Sequence, residues 1–123
     1  MGDGSMSQLD KIPHVIDYAH SEFKSEFVDV YLGATSKFNV ATSSGYMVIP
    51  EAFGVPIILT NCIPIDGYYG MTEKDLFLPK LILNKATGEA LSFEAIFSFP
   101  ICGFTSNAQF EKHGLIWKSN TAD

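Results

Sequence analysis

Residues 37–61 read KFNVATSSGYMVIPEAFGVPIILTN, and their pattern decides the fold class. Residues 37–41 have strand character. A small-hydroxyl turn follows (Thr42, Ser43, Ser44, Gly45), then a short helix to Phe53, a stop at Gly54 and an apolar strand over 56–60. Two strands joined by a helical crossover pair in parallel, and such crossovers are almost always right-handed. The turn then lies at the carboxyl end of one strand and the amino end of a helix. Unpaired N–H groups and positive potential at a helix amino end suit a phosphate. Gly45 permits close backbone approach, and the hydroxyls of Ser43 and Ser44 can donate to an anion. The pattern fits the diphosphate of a nucleotide-linked ligand; the plainer alternative is that Ser44 is only an N-cap. A short motif of this kind has low specificity. Pro50 would weaken the helix unless it lies in the first turn, so the spacing predicts a short helix that starts near Met47.

The chain has 123 residues, 46% of them hydrophobic and 18% charged, which describes one small globular domain rather than a disordered segment. Its net charge is −6 and no run of Lys or Arg occurs, so binding to nucleic acid through a broad basic face is not expected. No apolar run reaches the ~18 residues a membrane span needs, and the start lacks a signal peptide. Cys62 and Cys102 form neither a disulfide framework nor a metal spacing, and read as free thiols in a reducing compartment, the cytoplasm. His14, His20 and His113 make no ligand pair, so no metal is expected.

The remaining segments are read around the central unit. Residues 1–7 are Gly/Ser-rich, residues 1–11 read as a disordered arm or an expression remnant, and the domain runs over 12–123. IPHVIDY (12–18) has strand character, which would put Asp17 and Tyr18 at a strand's carboxyl end. Residues 21–34 read as a helix capped by Ser21 or Ser25. Phe23, Phe27, Val30, Tyr31 and Ala34 share one face, expected to pack on the sheet. Residues 62–75 read as a long loop, of a kind that is often functional. Residues 76–83 are apolar but interrupted by Pro79, and are expected to be an irregular extended or short helical segment packed on the core. Ser92 caps a short helix, residues 97–104 are irregular, and residues 114–118 form a last strand. Residues 119–123 look like the cap and first turn of a further helix. The fold class is α/β, a partial Rossmann-like domain with a mostly parallel sheet of about four strands flanked by helices.

Several separated motifs resemble the carboxyl-terminal domain of GT-B glycosyltransferases, and most closely a family of bacterial surface-carbohydrate clusters. They are Ile16-Asp17-Tyr18-Ala19 with Ser21 and Lys24-Ser25, then Ser44-Gly45, Ile49 to Asn61, Asp75 to Leu81, and the tail Gln109 to Asp123. Heptosyltransferases also carry a Ser-Gly or Thr-Gly turn, a short helix and Gly-x-Pro, similar to Ser44-Gly45 and Gly54-Val55-Pro56. The resemblance implies that Ser43, Ser44, Gly45 and Tyr46 face the diphosphate of a nucleotide-sugar substrate. Lys24 is either a phosphate ligand or a solvated helix lysine. Asp17, Tyr18, Thr60 and Asn61 would line the nucleotide and sugar side of the crevice. Glu51 is similar to a ribose-binding Glu, although the helix that carries it here is about two residues shorter. No further cofactor is implied.

GT-B enzymes use two such domains, and the amino-terminal one, which supplies the acceptor site, has no counterpart in this sequence. The expected function is therefore the donor-binding half of a glycosyltransferase for surface polysaccharide, inactive alone. Its partners would be a missing domain or a partner subunit. The catalytic base is not assigned among Asp17, Glu51 and Asp66. The alternatives are the donor-binding subunit of a split enzyme and a non-enzymatic α/β interaction module. The resemblance makes 12–18 the third strand of the family's sheet, with the first two strands absent. Residues 37–41 would then lose a neighbour and leave an open edge, repaired by pairing with 12–18 of the same chain, while a homodimer covers the remaining apolar surface.

Overall fold

The structure is a computed structural model that describes residues 2–67 and 71–121. Strands β1 (Asn39–Ala41) and β2 (Ile57–Cys62) are parallel, with Asn39 opposite Ile57 and Ala41 opposite Leu59. A 3-10 turn, Gly45–Met47, runs between them into helix α2 (Val48–Ala52). Pro50 is buried in the first turn of α2, where a missing N–H breaks no helical bond. Gly54 ends the helix with φ of 67°, a conformation that costs glycine little. The central strand–turn–helix–strand unit of the sequence is thus formed.

Strand β3 (Leu76–Pro79) joins the other side of β2, also in parallel, so the sheet order is β1-β2-β3. Residues 76–83 are therefore extended rather than helical, and form two regular strands instead of one irregular segment. Pro79 has no N–H to extend the ladder, and after Lys80 the chain continues as β4 (Leu81–Asn84). β4 pairs antiparallel with β5 (Leu115–Lys118), in a second sheet. The last strand is present as expected, but it does not extend the parallel sheet, which has three strands rather than four. The architecture is α/β, with one parallel and one small antiparallel sheet flanked by short helices.

Residues 12–18 are not a strand. His14 has φ of 65°, the Val15 N–H returns to the Ile12 carbonyl at 3.1 Å, and Tyr18–His20 is a 3-10 turn. A chain bent in this way cannot lie along β1, and the free edge of β1 pairs with no strand among the described residues. The expected repair of that edge is absent.

Helix α1 (Glu26–Thr35) starts after Ser25, whose hydroxyl accepts the Val28 N–H at 3.2 Å. Its aromatic face is not buried: Phe23, just before the helix, is 66% exposed and Phe27 is 76% exposed. The helix docks on α2 instead, through Gly33, the buried residue of α1. A Cβ at Gly33 would lie 2.8 Å from Ile49 Cγ2 and 2.9 Å from the Tyr46 hydroxyl. The tightest approach therefore selects the smallest residue, and the aromatic side chains, well around the helix from Gly33, point away.

Helix α3 (Phe93–Phe97) has Ser92 as its N-cap, as expected. Helix α4 (Asn107–Lys112) was not anticipated, although Ser106 and Gln109 form a capping box at its start. Residues 119–121 are not helical, and residues 122–123 lie outside the described residues. So does part of the long loop, residues 68–70. Ile57, Leu59 and Cys62 form one core cluster. Ile65, Ile82, Ile96, Phe104, Phe110 and Leu115 form another, and Phe77 packs against both.

Candidate functional site

The turn between β1 and α2 is the centre of the candidate site. Ser44 occupies the N-cap position with extended backbone, but its hydroxyl caps no helix N–H. The hydroxyl is exposed and available to a ligand, as are Ser43 and Gly45. The first N–H groups of the turn have no preceding helical carbonyl to bond, as at any helix start.

A cleft of about 280 Å³ opens beside this turn, lined by Gly2, Asp3, Lys24, Asp29, Ser44 and Tyr46. Three residues predicted for the diphosphate, Lys24, Ser44 and Tyr46, thus meet in one cleft although 22 positions separate the outer two in sequence. Tyr46 donates its hydroxyl proton to the Asp29 carbonyl at 3.0 Å. Burial and the nearby Asp29 carboxylate hold its phenol above its ordinary pKa, so it stays a neutral donor.

Lys24 is not a free cation. Its ammonium lies 3.3 Å from Asp29 Oδ1 and 5.0 Å from the centroid of the Tyr18 ring. The Tyr18 hydroxyl, foremost, and the Lys24 ammonium hold the Asp29 carboxyl below its ordinary range against the opposing effect of burial. Asp3 at the rim is held low chiefly by the hydroxyl and N–H of Ser5. Two carboxylates and one ammonium therefore share the cleft, an arrangement that weakens phosphate binding. Asp29 was missed in the sequence, where the signal was a carboxylate five residues after Lys24.

Thr60 and Asn61 stand at the carboxyl end of β2, beside the end of β1. The Thr60 hydroxyl donates to the Ala41 carbonyl at 3.4 Å. Asn61 has φ of 57°, at an irregularity in the pairing of β2 with β3. Its side-chain oxygen accepts the Asn120 N–H at 2.6 Å. Both residues are thus on the sheet edge where α/β proteins bind ligands, with Asn61 held by the tail.

The other expected residues lie elsewhere. Glu51 lines a separate depression with Gly54, Pro56, Thr72 and Asp75, near the amino ends of β2 and β3. It is not brought to the turn, because α2 is short and Glu51 falls near its far end. Asp17 accepts the Leu9 N–H at 3.0 Å and contacts His20 Nδ1 at 2.9 Å. The Leu9 bond, foremost, lowers its pKa, burial opposes, and His20 adds to the lowering. Tyr18 borders the cleft indirectly: its hydroxyl bonds both the N–H and the carbonyl of Ser25, and its ring lies under Lys24. No group of His, Cys, Asp and Glu able to hold a metal occurs among the described residues. No helix among them is long and apolar enough to cross a membrane. Comparison with known proteins finds no protein family that the chain matches, and no curated protein or solved structure with significant similarity to it.

Proposed function

We propose that this chain binds the diphosphate of a nucleotide sugar at residues 43–46 and serves as the donor-binding half of a GT-B glycosyltransferase, with a partial Rossmann-like domain. The observation that carries this reading is the parallel β1–α2–β2 unit. Its turn combines a Ser44 hydroxyl that caps no helix N–H with a cleft shared by Lys24 and Tyr46. Ser43, Ser44 and the N–H groups of Gly45 and Tyr46 would hold the phosphates. Thr60 and Asn61 would line the neighbouring part of the crevice. Glycosyl transfer would need a second domain or subunit to complete the cleft and supply a base within hydrogen-bond reach of the acceptor. The donor would be the substrate, and the chain would work in the cytoplasm.

A second reading, an α/β interaction module without a ligand, is favoured by the large apolar side chains left exposed on α1 and on the parallel sheet. Calorimetric titration with UDP, GDP, ADP and CMP separates the two. The donor reading expects millimolar binding of at least one diphosphate, weaker binding of the monophosphate, and loss of both in Gly45→Trp. Absence of binding by all four nucleotides would overturn it and leave the module.

A further inference from the structure

The parallel sheet is covered on one face only. In the register of the sheet, Ala41, Leu59 and Phe77 fall in one row, and Leu59 is buried with Ile57 and Cys62. The alternate row, Val40, Ile58 and Leu76, points to the opposite face. There Val40 is 63% exposed and Leu76 58% exposed, and Phe38 and Leu78 are also open. Parallel sheets ordinarily carry cover on both faces.

We infer that a second copy of this chain covers this face, the two sheets packing about a two-fold axis. Phe38, Val40, Leu76 and Leu78 each leave half or more of their surface open. With Ile58 they present on the order of 500 Å² per protomer, so the pair would bury up to ~1,000 Å², the threshold for a biological interface and the size class of a weak, reversible dimer. None of the five carries a charge. Two chains of net charge −6 can therefore meet here without bringing like charges into the contact. A two-fold axis places the same patch on both sides, as an isologous interface requires. The free edge of β1 is three residues long and offers too few backbone bonds to hold a dimer by itself. The inference does not depend on a nucleotide ligand.

Sedimentation equilibrium on the full chain tests it, with Val40→Lys, Leu76→Lys and Phe27→Lys as variants. All three sites are exposed in the protomer, and circular dichroism checks that each variant folds. The wild type should show twice the 13.5 kDa chain mass at tens of micromolar. Val40→Lys and Leu76→Lys should each raise the dissociation constant about tenfold or more, by placing an unpaired charge in an apolar contact. Phe27→Lys, on α1, should leave it unchanged. A wild type that stays monomeric, a dimer that survives both sheet variants, or one lost in Phe27→Lys would overturn the inference. The two sheet variants lie on different strands, so a folding failure in one leaves the other to decide.

Discussion

The ammonium of Lys24 stands 3.3 Å from Asp29 Oδ1, so the cation that lines the cleft is already paired. A phosphate entering the cleft must compete with a carboxylate for the same group. At about 4 Å a unit charge in water is worth about 1 kcal/mol. Asp29→Asn should therefore tighten nucleoside diphosphate binding about fivefold, and Lys24→Ala should weaken it. The check is calorimetry with both variants at low salt, where the difference should be largest. Equal affinity in wild type and Asp29→Asn would show that Lys24 does not touch the ligand.

Gly33→Ala is expected to destabilise the protein. The new methyl would sit 2.8 Å from Ile49 Cγ2 and 2.9 Å from the Tyr46 hydroxyl. Overpacking of this kind costs about 1–3 kcal/mol, of which the better helix propensity of Ala returns up to about 1. Urea unfolding should show a lower midpoint. The amide resonances of residues 45–49 should also move, because Tyr46 and Ile49 must give way. A midpoint at or above the wild-type value would contradict the packing of α1 on α2.

Asp75 ties two strands and a turn together. Its carboxylate accepts the Ile57 N–H at 2.7 Å and the N–H and hydroxyl of Thr72 at 2.6 and 2.9 Å. Ile57 is buried, so Asp75→Ala would leave a buried donor unpaired, at a cost of about 1–3 kcal/mol. Thermal unfolding should show the loss. Asn at this position keeps an acceptor and should lose less.

The same carboxylates set the acid limb of stability. Burial raises the Asp75 pKa, but the bonds from Thr72 and Ile57 outweigh it, and the folded value lies below the ordinary 3.8. Asp29 is held low as well. For a lowered carboxyl pKa, the stabilising contribution is complete above the unfolded value and is lost as pH falls through the folded one. Stability should therefore drop below about pH 4, and the drop should be shallower in Asp75→Asn. A titration of unfolding midpoints between pH 6 and pH 2 reads it; an identical profile in the variant would contradict the assignment.

The elements that were legible in the sequence rest on local chemistry. Pro50 near the start of a helical pattern, Gly54 after it and Ser25 and Ser92 before apolar runs each fix a boundary through backbone geometry or capping. The pairing of β1 with β2 followed from the crossover between them. What was not legible depends on partners far away in the chain. The 12–18 run has strand composition, yet it finds no edge to pair with and bends at His14. Residues 76–83 divide between two sheets because Pro79 ends one ladder, and the residues that pair with β4 lie more than thirty positions later. The contact point of α1 with α2 is Gly33 and not the aromatic face, which reverses the face of α1 that is buried. In the site, Ser44 was legible as a donor and Lys24 as a cation, while Tyr46 was placed by the resemblance. The Asp29 partner of Lys24 was not legible, because Lys24 lies just before the helix and its reach to Asp29 in the first turn depends on where the helix starts. Glu51 was placed by resemblance to a longer helix, and the shorter one carries it to the other end of the sheet. Helix α4 did carry a local signal, the capping box of Ser106 and Gln109, which a search for that spacing would have found.

The placement of the diphosphate at the β1–α2 turn is tested most directly by following the amide resonances of labelled protein during a titration with UDP, GDP and ADP. The largest shifts should fall on residues 42–46, with smaller ones at Lys24, Thr60 and Asn61, and should saturate at millimolar nucleotide. Shifts confined to residues 51–57 and 72–75, or none at residues 42–46 with millimolar ligand, would contradict it.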